Sequence, residues 1–423
     1  MLAEGPFDFG LPGGTSEEEL HCAGVLAASA CCDRTDEGEN SLSTKADRPT
    51  RVRLYHQVRT AHLERALQLA PATILFGSRR YDFDSGMADR LDLVEASGWR
   101  AAWWLFSHDV AALEVNEPLY RQSVRSTALA LAGLHLGELL RRAPRARVVS
   151  YAIENLDPRD VPRRAGVKAV LARRLDGALS ALVWRRLNRI VYGTTAAQDL
   201  YDRALPASPC LLARTIPAIP AREVEPEEVR KTPHLVLFLG ALDERKGIRQ
   251  LLEAWPDAQL EVPEARLLVL GKGPLAGLVK ELADHGSMVT LEEDPPRQRV
   301  REALRAAAVL VLPSQPQPGW KEQVGLPIVE GLSYGCTVVC TTETGLEAWL
   351  SEQGHIVVPA ASGPVGLAKG LIRAVRAPLP VGQVLRSLPE RDGRLLADDW
   401  LFDELPDPTE SGTVPRIGTA HVR

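Results

Sequence analysis

Two short apolar runs, Ala308 to Leu312 (AVLVL) and Thr337 to Cys340 (TVVC), flank a Pro/Gly-rich loop and a helical segment. Fully apolar, β-branched runs of this length fill strands covered on both faces, and strand, helix and strand in alternation imply a parallel sheet. Pro327 suits the first helical position, where its missing N–H would have had no partner. Gly325 and Leu326 then lie at a helix mouth, whose free N–H groups and dipole favour an anion such as phosphate. Glu322 in the loop and Glu330 one turn inside the helix bracket that mouth. Two lone glutamates would be ordinary surface residues. In this order of strand, loop, helix and strand, they suit a ligand with hydroxyls on both sides of a phosphate.

A nucleotide sugar is such a ligand. The ordered set resembles the C-terminal half of the retaining glycosyltransferases of family 4. Their signature is E-x7-E with F/G-L between the acids, followed by E-A-M-A-x-G-x-P-V-V. Glu322, Gly325, Leu326, Glu330, Gly331, Gly335, Val338 and Val339 stand in those places. The resemblance covers Leu235 to about Ala374 well and the earlier chain weakly. It implies an α/β chain of the GT-B fold, two Rossmann-like domains facing a cleft. It further implies a UDP- or GDP-linked sugar donor, a hydroxyl acceptor that is a glycan or lipid-linked, and transfer with retention. No metal and no cofactor is expected, and no nucleic acid.

The remaining donor-side residues follow from that resemblance. His234 to Leu239 (HLVLFL) reads as a buried strand, followed by Gly240 to Gly247 and a helix from Ile248 to Trp255. The family has G-R-x, a short loop and K-G here, and its Arg and Lys hold the donor diphosphate. Lys246 and Gly247 match, but Ala241 stands where the family has Arg, and Arg245 is the neighbouring cation. Loss of one of two cations weakens stabilisation of a leaving diphosphate. Arg266 to Leu270 and then Gly271 and Gly273 repeat the strand-then-glycine pattern, where Gly permits a tight turn or a close backbone approach. The loop from about Glu292 to Asp294 lies beside the base in relatives. By this resemblance Lys246 with the N–H groups of Gly325 and Leu326 faces the diphosphate. Glu322 faces the donor sugar and Glu330 the ribose.

The first domain is read from about Arg51. Arg59 to Leu69 has helical periodicity, Ala72 to Phe76 (ATILF) reads as a strand, and Arg100 to Phe106 (RAAWWLF) as a second. Leu119 to Arg142 is a long helical stretch, and Arg147 to Ala152 (RVVSYA) a third strand. Ligands collect at the carboxyl ends of parallel strands. That makes His108, Asp109, Glu154 and Asn155 candidates, against a surface turn for the first two and a helix cap for Asn155. In the family a polar or His residue after a late strand faces the reacting sugar, and Glu154 falls near that position. His108, Glu154 and Asn155 are therefore the acceptor-side candidates, and Lys246, Glu322 and Glu154 the catalytic ones.

Arg189 to Tyr192 closes this domain at about residue 205, and a Pro-rich stretch over 206–232 reads as a linker. The second domain spans 233–376, and the segment 377–423 contains Leu395 to Leu405, whose Trp400 and Phe402 need burial. It is the candidate for a helix crossing back to the first domain.

Residues 1–50 are rich in Gly, Ser, Glu and Asp, and read as a disordered extension or as the product of a start codon placed too far upstream. The 423 residues suffice for two cores, and a net charge of -5 gives no bias toward nucleic acid. No apolar run is long enough to cross a bilayer. The six cysteines lack C-x-x-C spacing and read as reduced thiols of a cytoplasmic protein. Arginines crowd residues 141–189, including Arg163, Arg164, Arg173, Arg174, Arg185 and Arg186, with Trp184 among them. Such a surface is either a solvated face or a peripheral contact with an anionic inner membrane face. A non-catalytic sugar-nucleotide-binding or scaffold protein and a GT-B epimerase are the rival readings.

Overall fold

The computed structural model describes residues 51–80, 83–161, 166–225, 229–286 and 288–403. The extension expected over 1–50, Arg163 and Arg164, and the chain after Asp403 lie outside the described residues.

The chain builds two parallel sheets. In the first, the elements run β1 (Arg51–Val58), α1 (Thr60–Gln68), β2 (Thr73–Arg79), α2 (Ser85–Ala88), β3 (Leu93–Glu95), α3 (Trp99–Ser107), β4 (Ala112–Val115), α4 (Val124–Arg141), β5 (Arg147–Ala152), α5 (Val167–Arg186), β6 (Arg189–Tyr192), α6 (Thr195–Ala204) and β7 (Leu212–Thr215). The strand order is β3-β2-β1-β4-β5-β6-β7. β7 falls inside the Pro-rich stretch read as linker, and it pairs with β6 in parallel.

The second half continues with β8 (Thr232–Leu239), α7 (Ile248–Glu261), β9 (Arg266–Leu270), α8 (Ala276–Asp284), β10 (Val289–Glu292), α9 (Arg297–Ala306), β11 (Ala307–Leu312), α10 (Leu326–Ser333), β12 (Thr337–Thr341), α11 (Glu347–Glu352), β13 (Ile356–Val358), α12 (Gly363–Arg376), α13 (Val381–Arg386) and α14 (Gly393–Phe402). Its sheet has the order β10-β9-β8-β11-β12-β13. β11 and β12 are buried at every position and lie in register from Val309 opposite Thr337 to Leu312 opposite Cys340. The crossover rule holds there: α10 packs back over the pair, and a Cβ on Gly331 would stand 3.1 Å from Leu310.

Arg100 to Phe106 is not a strand. It is the body of α3, and the periodicity explains why. Ala101 and Leu105, four apart, are buried, whereas Trp99 and Trp103, also four apart, are 68% and 64% exposed. α3 lies against α4 through glycine contacts. A Cβ on Gly133 would stand 2.1 Å from the Ala102 carbonyl oxygen, and one on Gly137 would stand 2.6 Å from that of Phe106. The true neighbouring strands are β1 and β4, which the apolar pattern hid because they carry Arg53 and Glu114.

Those two charges explain the C-terminal helix. Arg53 is buried, hydrogen-bonds Glu114, and donates to both carboxylate oxygens of Asp398 on α14 at 2.6 and 3.2 Å. Arg394 on the same helix reaches Glu114. Ala397, Leu401 and Phe402 bury against Val149 and Val191 of the first sheet. α14 thus lies on the first sheet, although it follows the second in sequence.

Breaking a buried ion pair from one side leaves an uncompensated charge. Asp398→Ala is expected to cost roughly 3 kcal/mol in urea unfolding. Hydrogen exchange of α14 should rise in the same variant. Unchanged stability would show that Glu114 alone suffices for Arg53.

Candidate functional site

The carboxyl ends of both sheets meet around one peptide, Glu322–Gln323. Glu322 is buried, and its carboxylate accepts from Lys246 Nζ at 2.6 Å and from Ser314 Oγ at 3.1 Å. Lys246 sits on a 3-10 turn, Glu244–Lys246, whose N-cap Asp243 accepts from the Lys246 backbone N–H at 3.1 Å. Gly247 follows at φ 74°, where an L side chain is strained, and a Cβ there would stand 1.8 Å from the Pro313 carbonyl oxygen. The turn that presents Lys246 is therefore packed directly onto the start of the loop carrying Glu322.

α10 begins at Leu326 with Gly325 as N-cap, at φ 84°. Leu326 is 45% exposed at this mouth, and Pro327 occupies the first turn. Glu330 is buried one turn in. One of its oxygens accepts from Arg297 at 3.1 Å, and its Oε2 is buried with no partner among the described residues. Burial pushes this carboxyl up, with Arg297 pulling in the opposite direction.

The glycines after β8 and β9 serve different ends. A Cβ on Gly271 would stand 1.8 Å from the Gly240 oxygen, and one on Gly273 would stand 2.5 Å from that of Leu242. Their close backbone approach is to the neighbouring loop. Gly240, at φ 149°, has only Pro327 within 4 Å of its Cβ position, at 4.0 Å, so it opens toward the start of α10. Ala241 follows it.

On the first sheet, Glu154 and Asn155 do reach this place. Asn155 Nδ2 donates to the Glu322 carbonyl oxygen at 2.8 Å, and Gln323 Nε2 donates to Glu154 at 3.2 Å. His108 and Asp109 do not. They precede β4, at the amino end of the sheet, because the run before them is helix. His108 caps α3, stacked on Trp104 with ring centroids 3.9 Å apart, and Asp109 pairs with Arg141 at 3.0 Å.

The residues that follow the carboxyl end of β4 are Asn116 and Glu117, which the sequence reading missed. Asn116 Oδ1 accepts from the His56 N–H at 3.0 Å. Glu117 Oε2 accepts from the N–H groups of Ile153 and Glu154 at 3.0 and 2.8 Å, so it sets the turn that presents Glu154. Burial, and then the nearby Glu154 charge, push the Glu117 carboxyl up to about 8 against those hydrogen bonds. Glu154 is also raised, by burial. The missed signal was the short run Ala112 to Val115, followed at once by two polar residues.

Residues 233–377 match the family model described as glycosyl transferases group 1. Phosphatidyl-myo-inositol mannosyltransferase of Mycobacterium tuberculosis is 33% identical over 145 residues, covering 32% of this chain and 36% of that protein. The putative teichuronic acid biosynthesis glycosyltransferase TuaC of Bacillus subtilis is 29% identical over 153 residues, 35% of this chain and 36% of that protein. The chain thus spans about a third of the length of the curated relatives it matches. WaaG, a glycosyltransferase involved in lipopolysaccharide biosynthesis, superposes with a TM-score of 0.52 at 14% identity, over 84% of this chain and 100% of that one. HepE of Anabaena, solved with UDP, gives 0.53 at 14% identity, over 84% and 96%. The fold is GT-B. Among the described residues, no helix is long and apolar enough to cross a membrane, and no group of three or more His, Cys, Asp and Glu is placed to hold a metal ion.

An acid whose folded pKa lies above its unfolded value binds its proton more tightly in the native state. The stability this confers is complete below about 4.5 and is lost as pH rises through about 8. Glu117→Gln keeps an acceptor oxygen for the Ile153 and Glu154 N–H groups without a charge. The wild-type melting temperature is expected to fall between pH 5 and 8, and the variant's profile to be flatter there. Parallel profiles would show that Glu117 is not held neutral.

Proposed function

We propose that this protein is a glycosyltransferase that moves a sugar from a UDP- or GDP-linked donor to a hydroxyl acceptor with retention of configuration. The observation that carries the reading is the 2.6 Å Lys246–Glu322 pair beside the α10 mouth, with Glu330 buried behind it. In this reading the donor diphosphate meets Lys246 and the N–H groups of Gly325 and Leu326. An ammonium has three donors, so Lys246 can hold a phosphate oxygen without releasing Glu322. Glu322 then faces the sugar hydroxyls. Glu330, whose Oε2 has no partner among the described residues, takes the ribose.

The acceptor hydroxyl attacks on the face from which the nucleoside diphosphate leaves. No protein nucleophile is needed. Catalysis rests on holding the two reactants and on neutralising charge that develops on the leaving phosphate. Glu154 and Asn155, seated on the Glu322–Gln323 peptide, are the acceptor-side residues of this scheme. No metal is assigned a role.

A second reading rests on Ala241. With one family cation absent and Lys246 already paired, the site could bind a sugar nucleotide without turning it over. Thermal shift against UDP, GDP and their sugars tests binding, because a ligand selective for the native state raises the melting temperature by mass action. Glu330→Ala is expected to lose most of that shift. Lys246→Ala is expected to lower transfer or donor hydrolysis roughly 10²-fold, with a change of only a few degrees in melting temperature. Binding without turnover in the wild type would select the second reading, and variants that behave as wild type would overturn the site.

The acceptor side also bears on membranes. α5 is exposed along Val167, Leu171, Leu175 and Leu182, with Lys168, Arg173, Arg174 and Arg185 exposed beside them. Apolar side chains interleaved with arginines suit the boundary of an anionic bilayer, and this face is our candidate for peripheral contact with the inner membrane. The protein is expected to sediment with vesicles containing phosphatidylglycerol and not with phosphatidylcholine alone. Leu171→Asp with Leu175→Asp should abolish this, and unchanged sedimentation would remove α5 from the contact.

A further inference from the structure

We propose that the carboxyl ends of β1, β4 and β5 form a sugar subsite, in which Tyr120 seats one ring of a glycan acceptor while His56 and Glu154 hold its hydroxyls. The cavity beside Gly77 takes the sugar linked to it. The inference rests on the transferase reading above and deepens it by naming the acceptor class.

Three side chains carry the first half. His56 lies near the carboxyl end of β1, and its ring meets that of Tyr120 edge-on, with centroids 6.0 Å apart at 74°. Tyr120 follows β4, and its hydroxyl donates to Gln122 Oε1 at 3.0 Å. Both rings are half-buried, and among the described residues no hydrogen bond engages either ring nitrogen of His56. Burial pulls this imidazole down, so at pH 7 it offers one donor and one acceptor, the pair that a hydroxyl satisfies. Burial, and then the Glu154 charge, raise the Tyr120 hydroxyl, which puts Glu154 beside the same ring. Each Glu154 oxygen accepts one bond, from the Leu156 N–H at 3.0 Å and from Gln323 at 3.2 Å, leaving lone pairs for a further donor. Asn116 accepts the His56 N–H and Glu117 the Glu154 N–H, so one short turn fixes both.

A sugar ring has a face of C–H bonds and an edge of hydroxyls. The face packs on the negative face of an aromatic ring, and the edge needs donors and acceptors together. Tyr120, His56 and Glu154 supply that combination, whereas a lipid alcohol would need apolar walls here. A hydroxyl held by Glu154 also lies one contact from the Glu322–Gln323 peptide, where the donor sugar is placed.

The second half is a cavity of about 360 Å³ lined by Gly77, Glu95, Ser97, Gly98, Trp99 and Arg100. Its volume falls at the lower end of small-ligand sites. Gly77 joins it to β1, lying between the Tyr55–Phe76 and Gln57–Ser78 pairs of the β1–β2 ladder. A Cβ there would stand 2.8 Å from the His56 carbonyl oxygen and 3.3 Å from Ser97 Cβ, so a side chain at this position would crowd both parts. Trp99 is exposed, with the Arg100 guanidinium 5.8 Å from its ring centroid and Glu95 paired to Arg79 at 3.6 Å. Two aromatic rings, each with polar and charged groups beside it, suit two linked sugars.

Saturation-transfer NMR titrations on the full chain separate these roles. The probes are the methyl glycosides of glucose, mannose and galactose, the disaccharides maltose, lactose and mannobiose, and glycerol as an alcohol without a ring. Wild type is expected to bind a ring probe and not glycerol, and a disaccharide more tightly than its single sugar. Tyr120→Ala and His56→Ala should each weaken the bound glycoside about tenfold, and Tyr120→Phe should retain most of the affinity. Trp99→Ala should remove only the disaccharide advantage. All four variants should keep the nucleotide thermal shift, and a Tyr120 that merely packed the β4–α4 turn would lower the melting temperature without changing glycoside affinity. If nucleotides shift the melting temperature but no glycoside binds, or if Tyr120→Ala binds glycosides as wild type does, this inference falls and the donor site stands. A disaccharide no tighter than its single sugar removes the cavity from the site. If neither nucleotide nor glycoside binds, both readings fall together.

Discussion

The Glu322–Gln323 peptide is gripped from both sheets, and the cleft depends on that grip. Its carbonyl at Glu322 accepts from Asn155 of the first sheet and from the Gly345 N–H of the second. A Cβ on Gly345 would stand 2.2 Å from the Gln323 oxygen and 3.1 Å from Thr194 Oγ1, so only a glycine lets the turn between β12 and α11 approach both. The carboxylate of the same residue is paired with Lys246. A buried carboxylate is costly unless paired and hydrogen-bonded, and here the pairing partner lies one turn after β8. Position of the donor cation, orientation of Glu322 and contact between the two halves are therefore one interaction.

How far this was legible in the sequence differs sharply between the halves. The second sheet is written in apolar runs such as HLVLFL, RLLVL and AVLVL, the first two buried toward their carboxyl ends and followed by glycine, the third buried throughout and followed by Pro313. Local pattern and three-dimensional place agree there. The first sheet breaks the rule. β1 carries Arg53 at a buried position, and among the described residues none within eight positions of it is an acid. Glu114 and Asp398 do so, from 61 and 345 residues away. Strands whose burial depends on such distant pairing cannot be recognised from their own composition.

One misreading then displaced the site. With RAAWWLF taken as strand, its following residues His108 and Asp109 took the carboxyl-end position. With α3 in its place, that position passes to Asn116 and Glu117. The spacing of Trp99 and Trp103 against Ala101 and Leu105 held the correct answer, because a four-residue repeat of buried and exposed positions fits a helix. Glu154 and Asn155 survived because the buried positions of β5 are apolar apart from Ser150, and the run still reads as a strand. Arg245 was singled out as the cation beside Lys246, but its contact with the Trp320 ring, 5.1 Å to the centroid, had no sequence signal, since the two meet only when the 315–320 loop folds over the Glu244–Lys246 turn.

Electrostatics of the cleft complete the argument. The formal charge of -5 suggests a surface that would repel a nucleoside diphosphate. Yet the acid nearest the turn after β5, Glu117, titrates at about 8 and is therefore mostly neutral at pH 7. Glu154 is raised as well, and so is Glu330, each chiefly by burial. Burial thus works against negative charge on the carboxyls at these strand ends. Within a chain of net negative charge, the local balance at these strand ends is set by the depth at which each acid is placed and not by any excess of basic residues.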